Sequence, residues 1–216
     1  KDAYGLSEIS KEIVAKDDGN AMKVKYTVDR WAGLGIDLSA DGHPVDLSQC
    51  NAIRYDYKGG RHTFEIGSAF DEDYDYRIKS YARTSREWTT ATHYIKGFYG
   101  GSVEPSLSIT RATQFIWDDF DYDDEDSLEV DNVRCLNLPT YAVKFYNGEE
   151  LLYSETVVEG DETWYRGDVD LYEQARDMSN NQYVYNFVGW DLEYAPIMAE
   201  TNYHAVFDTS LKTYTI

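Results

Sequence analysis

Seven carboxylates fall within the nine positions from Asp118 to Asp126. Acids at that density can cage a calcium ion, work as a general acid/base pair, or simply sit in water. Asp119, Asp121 and Asp123 give the D-x-D-x-D opening of an EF-hand loop. Its sixth position, where the sharp turn needs glycine, is however Asp124, and its twelfth, where a bidentate glutamate belongs, is Val130. A catalytic pair needs two carboxyls in unlike environments so that their pKa values part, whereas neighbouring aspartates on one loop share a single wet environment. The run therefore reads as a solvated hairpin loop that relieves its repulsion by splaying into solvent.

No other catalytic signature is present. The chain has no G-x-S-x-G elbow, no H-E-x-x-H and no glycine-rich phosphate loop, and its four histidines, His43, His62, His93 and His204, lie one per segment. Isolated in this way, each is expected to be a surface or internally satisfied residue rather than a ligand. Cys50 and Cys135 are too few for a disulfide scaffold and too far apart for a metal knuckle; a single bridge between them is open if the compartment is oxidising.

Aromatic side chains interleaved with polar ones carry a stronger signal. Trp31, Tyr57, Tyr74, Tyr76, Tyr81, Trp88, Tyr94, Tyr99 and Trp117 exceed what one sandwich core usually needs. A pyranose ring lays its apolar face on an aromatic plane while its hydroxyls meet planar partners such as Asp, Glu, Arg and Gln, so this mixture is the one that binds sugars. By alternation Tyr55 and Trp88 are assigned to the core.

The elements that must position these residues are strands. The segments "GNAMKVKYTV", "LGIDLSADG", "NAIRYDYKGG", "HTFEIG", "DYRIKSYA", "EWTTATHYI", "ATQFIW" and "SLEVDNVRC" are short and β-rich, with turn residues between them. Met22, Val24 and Tyr26 alternate with Lys23, Lys25 and Thr27, as do Ile53, Tyr55 and Tyr57 with Arg54, Asp56 and Lys58. Eight strands without a helical pattern between them predict an antiparallel β-sandwich over residues 1–138. "NLPT" then marks a junction. Residues 139–216 open with a hairpin around "NGEE" and offer one candidate helix in "DVDLYEQARDM", with Asp168 as its cap, before closing on strands. The fold class expected is all-β: a jelly-roll sandwich, then a small β-rich domain with at most one helix.

A net charge of −20 argues against nucleic acid or an anionic membrane as partner, because a polyanion would repel the chain. No apolar run reaches the roughly 18 residues of a membrane span, and "KDAYGLSE" carries no signal-peptide core, so the chain is expected to be soluble, a mature product or an excised piece.

The strings "GNAMKVKYT", "WAGLGIDLS", "DLSQCNAIRYDYKG", "EWTTATHYI", "QFIW" and "LEVDNVRC", in that order, resemble the family 11 type of carbohydrate-binding module. That resemblance implies a jelly roll holding β-1,4- or mixed-linkage β-glucan in a cleft on its concave sheet. It also implies a structural calcium, which puts Asn20 and Asp131 at the metal with Asp18 or Glu8 as further ligands, hard oxygens of the kind calcium prefers. Strand parity then nominates cleft residues: Arg54, Asp56, Glu65, Arg77, Lys79, Tyr81 and Gln114, with Trp31 beside the cleft and Trp117 turned outward at its strand end. The loop "GGSVEPSLSITRATQF" is shorter than in the family, a departure that bears on the cleft walls.

The later residues "YAVKFYNGEELLYSETVVEG", "YNFVGWD" and "TNYHAVFDTSLKTYTI" resemble the small β-grasp repeats of bacterial cell-surface proteins, the Listeria–Bacteroides type, with "DVDLYEQARDMSNN" as an insertion and Phe187 and Trp190 in the core. Together the resemblances imply a non-catalytic, extracellular or cell-surface module that directs a secreted, multi-domain polysaccharide-degrading protein to plant-cell-wall β-glucan. Two alternatives stay open: a surface adhesion or scaffold segment that binds protein, and a hydrolase using Asp56 and Glu65.

Overall fold

A computed structural model describes residues 8–16, 19–27, 33–38, 41–69, 77–101, 104–118 and 125–213 of the chain. The chain forms two compact units, Lys1–Asn137 and Leu138–Ile216.

The first unit contains nine strands: β1 (Glu8–Lys16), β2 (Gly19–Thr27), β3 (Gly33–Asp37), β4 (Ala52–Gly59), β5 (His62–Ser68), β6 (Ile78–Ala82), β7 (Ser85–Tyr94), β8 (Ala112–Asp118) and β9 (Glu125–Leu136). They make a five-stranded sheet in the order β1-β2-β9-β4-β7 and a four-stranded sheet in the order β3-β8-β5-β6. Each strand pair is antiparallel. From β2 onward the chain changes sheet at every step except β5 to β6, and the orders β2-β9-β4-β7 and β3-β8-β5-β6 are the interleaved Greek keys of a jelly roll. A single helical turn, α1 (Pro105–Ser108), precedes β8, with its proline at the first position, where a missing N–H costs nothing.

Eight of these strands are the eight the sequence predicts, and β1 is the addition. Its apolar residues Ile9, Ile13 and Val14 do not alternate, and it pairs only with β2 at the sheet edge, where one neighbour imposes little pattern. Ile13 is accordingly exposed.

Between the sheets lie Val24, Ile53, Tyr55, Leu128 and Val130 from one side and Phe64, Ile66, Ile78, Phe115 and Trp117 from the other. Trp117 is fully buried, its ring edge-on to Tyr55 at 5.7 Å and 5.4 Å from Phe64. Its expected outward turn is therefore corrected: on β8 it shares the parity of Phe115, and the parity of Gln114 belongs to Ile116 and Asp118. Trp88 is corrected in the other direction. It has the parity of Thr90 and Thr92, which pair with the outward Asp56 and Arg54, so it leaves the core. Cys50, just before β4, is joined to Cys135 on β9 by a disulfide with a Cα–Cα distance of 5.5 Å.

The second unit comprises β10 (Thr140–Asn147), β11 (Glu150–Val158), α2 (Leu171–Met178), β12 (Tyr183–Trp190) and β13 (Thr201–Leu211). Sheet order is β11-β10-β13-β12, with the first and last strands parallel in the middle, the β-grasp arrangement. The opening hairpin turns at Gly148, whose φ of 58° suits a two-residue loop. The cap of α2 is Asp170 rather than Asp168: its carboxylate accepts the N–H groups of Tyr172 and Glu173, and Leu171, the first helical residue, is buried. Val143, Phe145, Val157, Ile197 and Tyr203 form the core; Trp190 packs on Phe145 at 4.9 Å, and half-buried Phe187 packs on Trp190. No described helix is long and apolar enough to cross a membrane.

Candidate functional site

Alternation on the four-stranded sheet sends one set of side chains inward and the other to its outer face. Strand register arranges the outer set in three rows that cross the strands. Gly33, Asp118, Thr63 and Tyr81 make the first, and Gly35, Ile116, Glu65 and Lys79 the second. Asp37, Gln114 and Gly67 make the third. Past β6 the chain returns to the sheet at Tyr99, which pairs with Lys79 through Lys79 N–H to Tyr99 O at 2.8 Å and Tyr99 N–H to Lys79 O at 3.0 Å. Tyr99 thus extends the second row by one more chain segment.

The rows differ in character along their length. At the β6 end Tyr81 and Tyr99 are 57% and 42% exposed, with ring centroids 5.6 Å apart and planes inclined by 38°. In the middle Thr63, Glu65, Ile116 and Asp118 are buried. Glu65 is flanked by Arg77 Nη1 at 3.6 Å and Lys79 Nζ at 4.0 Å, so its buried carboxylate faces two half-exposed cations. At the β3 end Gln114 Nε2 donates to Asp37 Oδ1 at 2.7 Å on the exposed rim. Glycines at 33, 35 and 67 contribute no side chain to this face. An aromatic platform at one edge, paired charges beside it and a planar amide–carboxylate pair at the other can grip a flat, hydroxyl-rich ligand lying across the strands.

Glu65, Lys79, Tyr81 and Gln114 are therefore brought to one face, together with Arg77. Arg54 and Asp56 are not. They project from the outer face of the five-stranded sheet, where Arg54 Nε donates to Thr92 Oγ1 at 3.0 Å and Asp56 accepts from Thr90. A hydrolytic pair of Asp56 with Glu65 is excluded by the same geometry, since the whole sandwich lies between them. Trp117 is in the core, and Trp31 lies outside the described residues. Asp37 was not expected, and Tyr99, counted among the surplus aromatics, was not assigned to the cleft. Asp37 could have been found from parity in "GLGID", where Leu34 and Ile36 oppose Gly35 and Asp37; Tyr99 sits in "FYGG", which carries no strand pattern.

Of the expected calcium ligands, the two whose side chains are described, Asn20 and Asp131, do not converge. Asp18 and the side chain of Glu8 lie outside the described residues. Asn20 has the parity of the inward Val24, whereas Asp131 has that of the outward Glu129, so the two leave the sheet on opposite faces. Asp131 is already engaged at both oxygens: Oδ2 lies 2.9 Å from Lys16 Nζ and Oδ1 accepts Asn132 N–H at 2.7 Å. Among the described residues there is no group of three or more His, Cys, Asp or Glu that could hold a metal.

Directly beneath the aromatic edge, Ser80 points inward between Lys79 and Tyr81 and ends a buried hydrogen-bond chain. His62 Nδ1 lies 3.0 Å from the Gly60 carbonyl, which can only accept, so Nδ1 carries the proton and Nε2 is bare. The Tyr55 hydroxyl therefore donates to His62 Nε2 at 2.8 Å, and its oxygen accepts from His93 Nε2 at 3.1 Å. His93 Nδ1 is left to accept from Ser80 Oγ at 2.9 Å. Every proton has one place, and both imidazoles are neutral. Burial pushes His62 down to about 4 and His93 to about 3, and raises the Tyr55 phenol well above its ordinary value.

No family model and no curated protein matches this sequence. Among solved structures, the chain is similar to the family 11 carbohydrate-binding module from Clostridium thermocellum in complex with a β-1,3-1,4-mixed-linked tetrasaccharide. The identity is 20% and the TM-score 0.48, over 59% of this chain and 82% of that one. It is also similar to the family 30 carbohydrate-binding module of a cellulosomal cellulase of Clostridium thermocellum, at 13% identity and a TM-score of 0.47, over 60% of this chain and 88% of that one. An exo-β-agarase is matched at 10% identity and a TM-score of 0.44, over 63% of this chain and 23% of that one.

Proposed function

We propose that residues 1–138 are a non-catalytic carbohydrate-binding module that lays a neutral, β-linked glucan of the plant cell wall across the outer face of the four-stranded sheet. The observation that carries this reading is the Tyr81–Tyr99 pair: two exposed rings, 5.6 Å apart, aligned with Glu65, Arg77 and Lys79 and across the sheet from Gln114 and Asp37. Large exposed aromatics grouped on one sheet face mark a binding surface more often than a folding requirement. The ordered strings of the sequence support the same class and the same sheet. Binding by stacking and planar hydrogen bonding makes affinity modest and largely independent of salt, unlike recognition of a polyelectrolyte.

The disulfide fits an oxidising compartment, which supports a secreted or cell-surface location. In this reading residues 139–216 are an accessory domain, a spacer or contact module of a larger secreted polysaccharide-degrading protein. Affinity electrophoresis of the whole chain in gels containing barley β-glucan, xyloglucan or cellulose derivatives tests the proposal. Retardation by a β-glucan that persists at high salt is the expected result; free migration in all of them removes the carbohydrate reading.

A further inference from the structure

The outer face of the five-stranded sheet carries a different cluster. Asp56 on β4 and Asp131 on β9 are paired in register, so two carboxylates stand directly opposite each other, an arrangement that is destabilising unless a cation is supplied. Lys16, at the end of β1, supplies it. Its Nζ lies 2.9 Å from Asp131 Oδ2, 3.4 Å from Asp56 Oδ2 and 4.6 Å from the centre of the Trp88 ring.

The surroundings are built for that ammonium. To reach β9 and β4 the lysine must cross β2, where the residue of matching parity is Ala21, small and buried although it belongs to the outward set. Asn132 adopts a left-handed φ of 52° where β9 slips register against β4. From that position its N–H is donated to Asp131 Oδ1 at 2.7 Å and its Nδ2 to Asp56 Oδ2 at 2.8 Å. Thr90 Oγ1 donates to Asp56 Oδ1 at 2.8 Å. Donors thus converge on the two carboxylates from three strands, and the side chains of Lys16, Asp56 and Asp131 are only 12%, 20% and 21% exposed. The acceptors of this cage face inward on a charge that is already there.

We propose that Lys16 is the resident cation of this face, an internal ammonium doing for the Asp56–Asp131 pair what a divalent ion would do, so that the first unit needs no calcium at Asp131. The family resemblance implies a metal bound through Asp131; in this chain the lysine holds that carboxylate instead. Arrival of Lys16 also closes β1 onto the sheet, because the ammonium ties the edge strand to β9 and β4 across the intervening β2.

The test is thermal unfolding of the full chain, with millimolar Ca²⁺ or with EDTA, for the native protein and the variants Lys16→Gln, Lys16→Arg, Asp131→Asn and Lys16→Gln/Asp131→Asn. The native chain and Asp131→Asn are expected to respond identically to Ca²⁺ and EDTA. Lys16→Gln is expected to lower the melting temperature of the first unit by roughly 3–8 °C, and Lys16→Arg by much less. Millimolar Ca²⁺ should recover part of the loss in Lys16→Gln but none in Lys16→Gln/Asp131→Asn, because the uncovered carboxylates then lack their partner. A calcium response of the native chain that disappears in Asp131→Asn overturns the proposal. So does a Lys16→Gln chain as stable as the native one, or one destabilised yet blind to calcium. If Lys16→Gln fails to fold, the native against Asp131→Asn comparison and the Lys16→Arg result still decide the matter.

Discussion

Tyr81 and Tyr99 present their rings side by side because Tyr99 is hydrogen-bonded, N–H and C=O both, to Lys79, two residues before Tyr81 on the neighbouring strand. The spacing is thus set by backbone pairing and not by a side-chain contact that a ligand would have to rearrange. A platform fixed in this way loses little entropy on binding. Removing either ring, Tyr81→Ala or Tyr99→Ala, should weaken glucan binding roughly 5- to 30-fold, about 1–2 kcal/mol, as expected for a central aromatic contact. The melting temperature should barely move, since both rings are exposed. Isothermal titration of both single variants and of the double variant checks this; the double should lose less than the sum, because the two rings act as one surface.

Trp117 is expected to behave in the opposite way. It is wholly enclosed between the sheets, against Tyr55 and Phe64, so Trp117→Ala should cost about 3–5 kcal/mol of folding stability. Chemical denaturation will show a lower midpoint for the first unit, while the chains that remain folded should still bind sugar. A variant that kept its stability and lost only binding would put the indole back on the ligand face.

These two cases show what the sequence could reveal. Period-two patterning was enough for eight strands and for the inward set Ile53, Tyr55 and Tyr57, because a buried sheet face forces alternation. Parity within a strand also grouped Lys79 with Tyr81 and placed Glu65 opposite Phe64. What parity cannot tell is which of two sheets a strand joins. Arg54 and Asp56 are outward, as predicted, but β4 belongs to the five-stranded sheet, and their face is the far one. Lys16, and the place of Tyr99 on the cleft face, were missed for a related reason. Their roles depend on long-range pairing, a lone bridge to β6 in one case and a reach across β2 in the other, and neither leaves a local pattern.

The Cys50–Cys135 bridge closes a separation of 85 residues and joins the start of β4 to the end of the adjacent β9. On the chain-entropy view, a loop of that size stabilises the fold by about 4–5 kcal/mol, mostly by restricting the unfolded chain. Cys50→Ser/Cys135→Ser should therefore lower the stability of the first unit by roughly 2–5 kcal/mol and leave the second unit unchanged. Urea unfolding followed at the tryptophans of each unit distinguishes this from a general loss.

The buried chain His62–Tyr55–His93–Ser80 makes stability depend on acid with a definite sign. In the folded protein His62 titrates at about 4 and His93 at about 3, against an ordinary value of about 6.5 in the unfolded chain, because burial disfavours the imidazolium. The groups facing the two rings among the described residues are Tyr55 and Tyr57 from β4, Phe64 from β5, Ser80 from β6 and Phe98, and none of them offers a negative charge to hold a proton. Folded pKa values lie below unfolded ones, so the unfolded state binds more protons between pH 6.5 and 3. Stability is complete above about pH 6.5 and falls as the pH drops toward 4 and then 3, by roughly 2 kcal/mol per histidine at pH 5. Unfolding free energies measured at pH 7 and pH 5 should therefore differ by about 4 kcal/mol in the native chain and by about half that in His62→Gln, which keeps one depressed imidazole. Because Ser80 lies between Lys79 and Tyr81, protonation of His93 also removes the acceptor that holds β6 from below. Glucan affinity of the folded chain is accordingly expected to hold down to about pH 4 and to fall only as the pH approaches 3, where His93 takes up its proton.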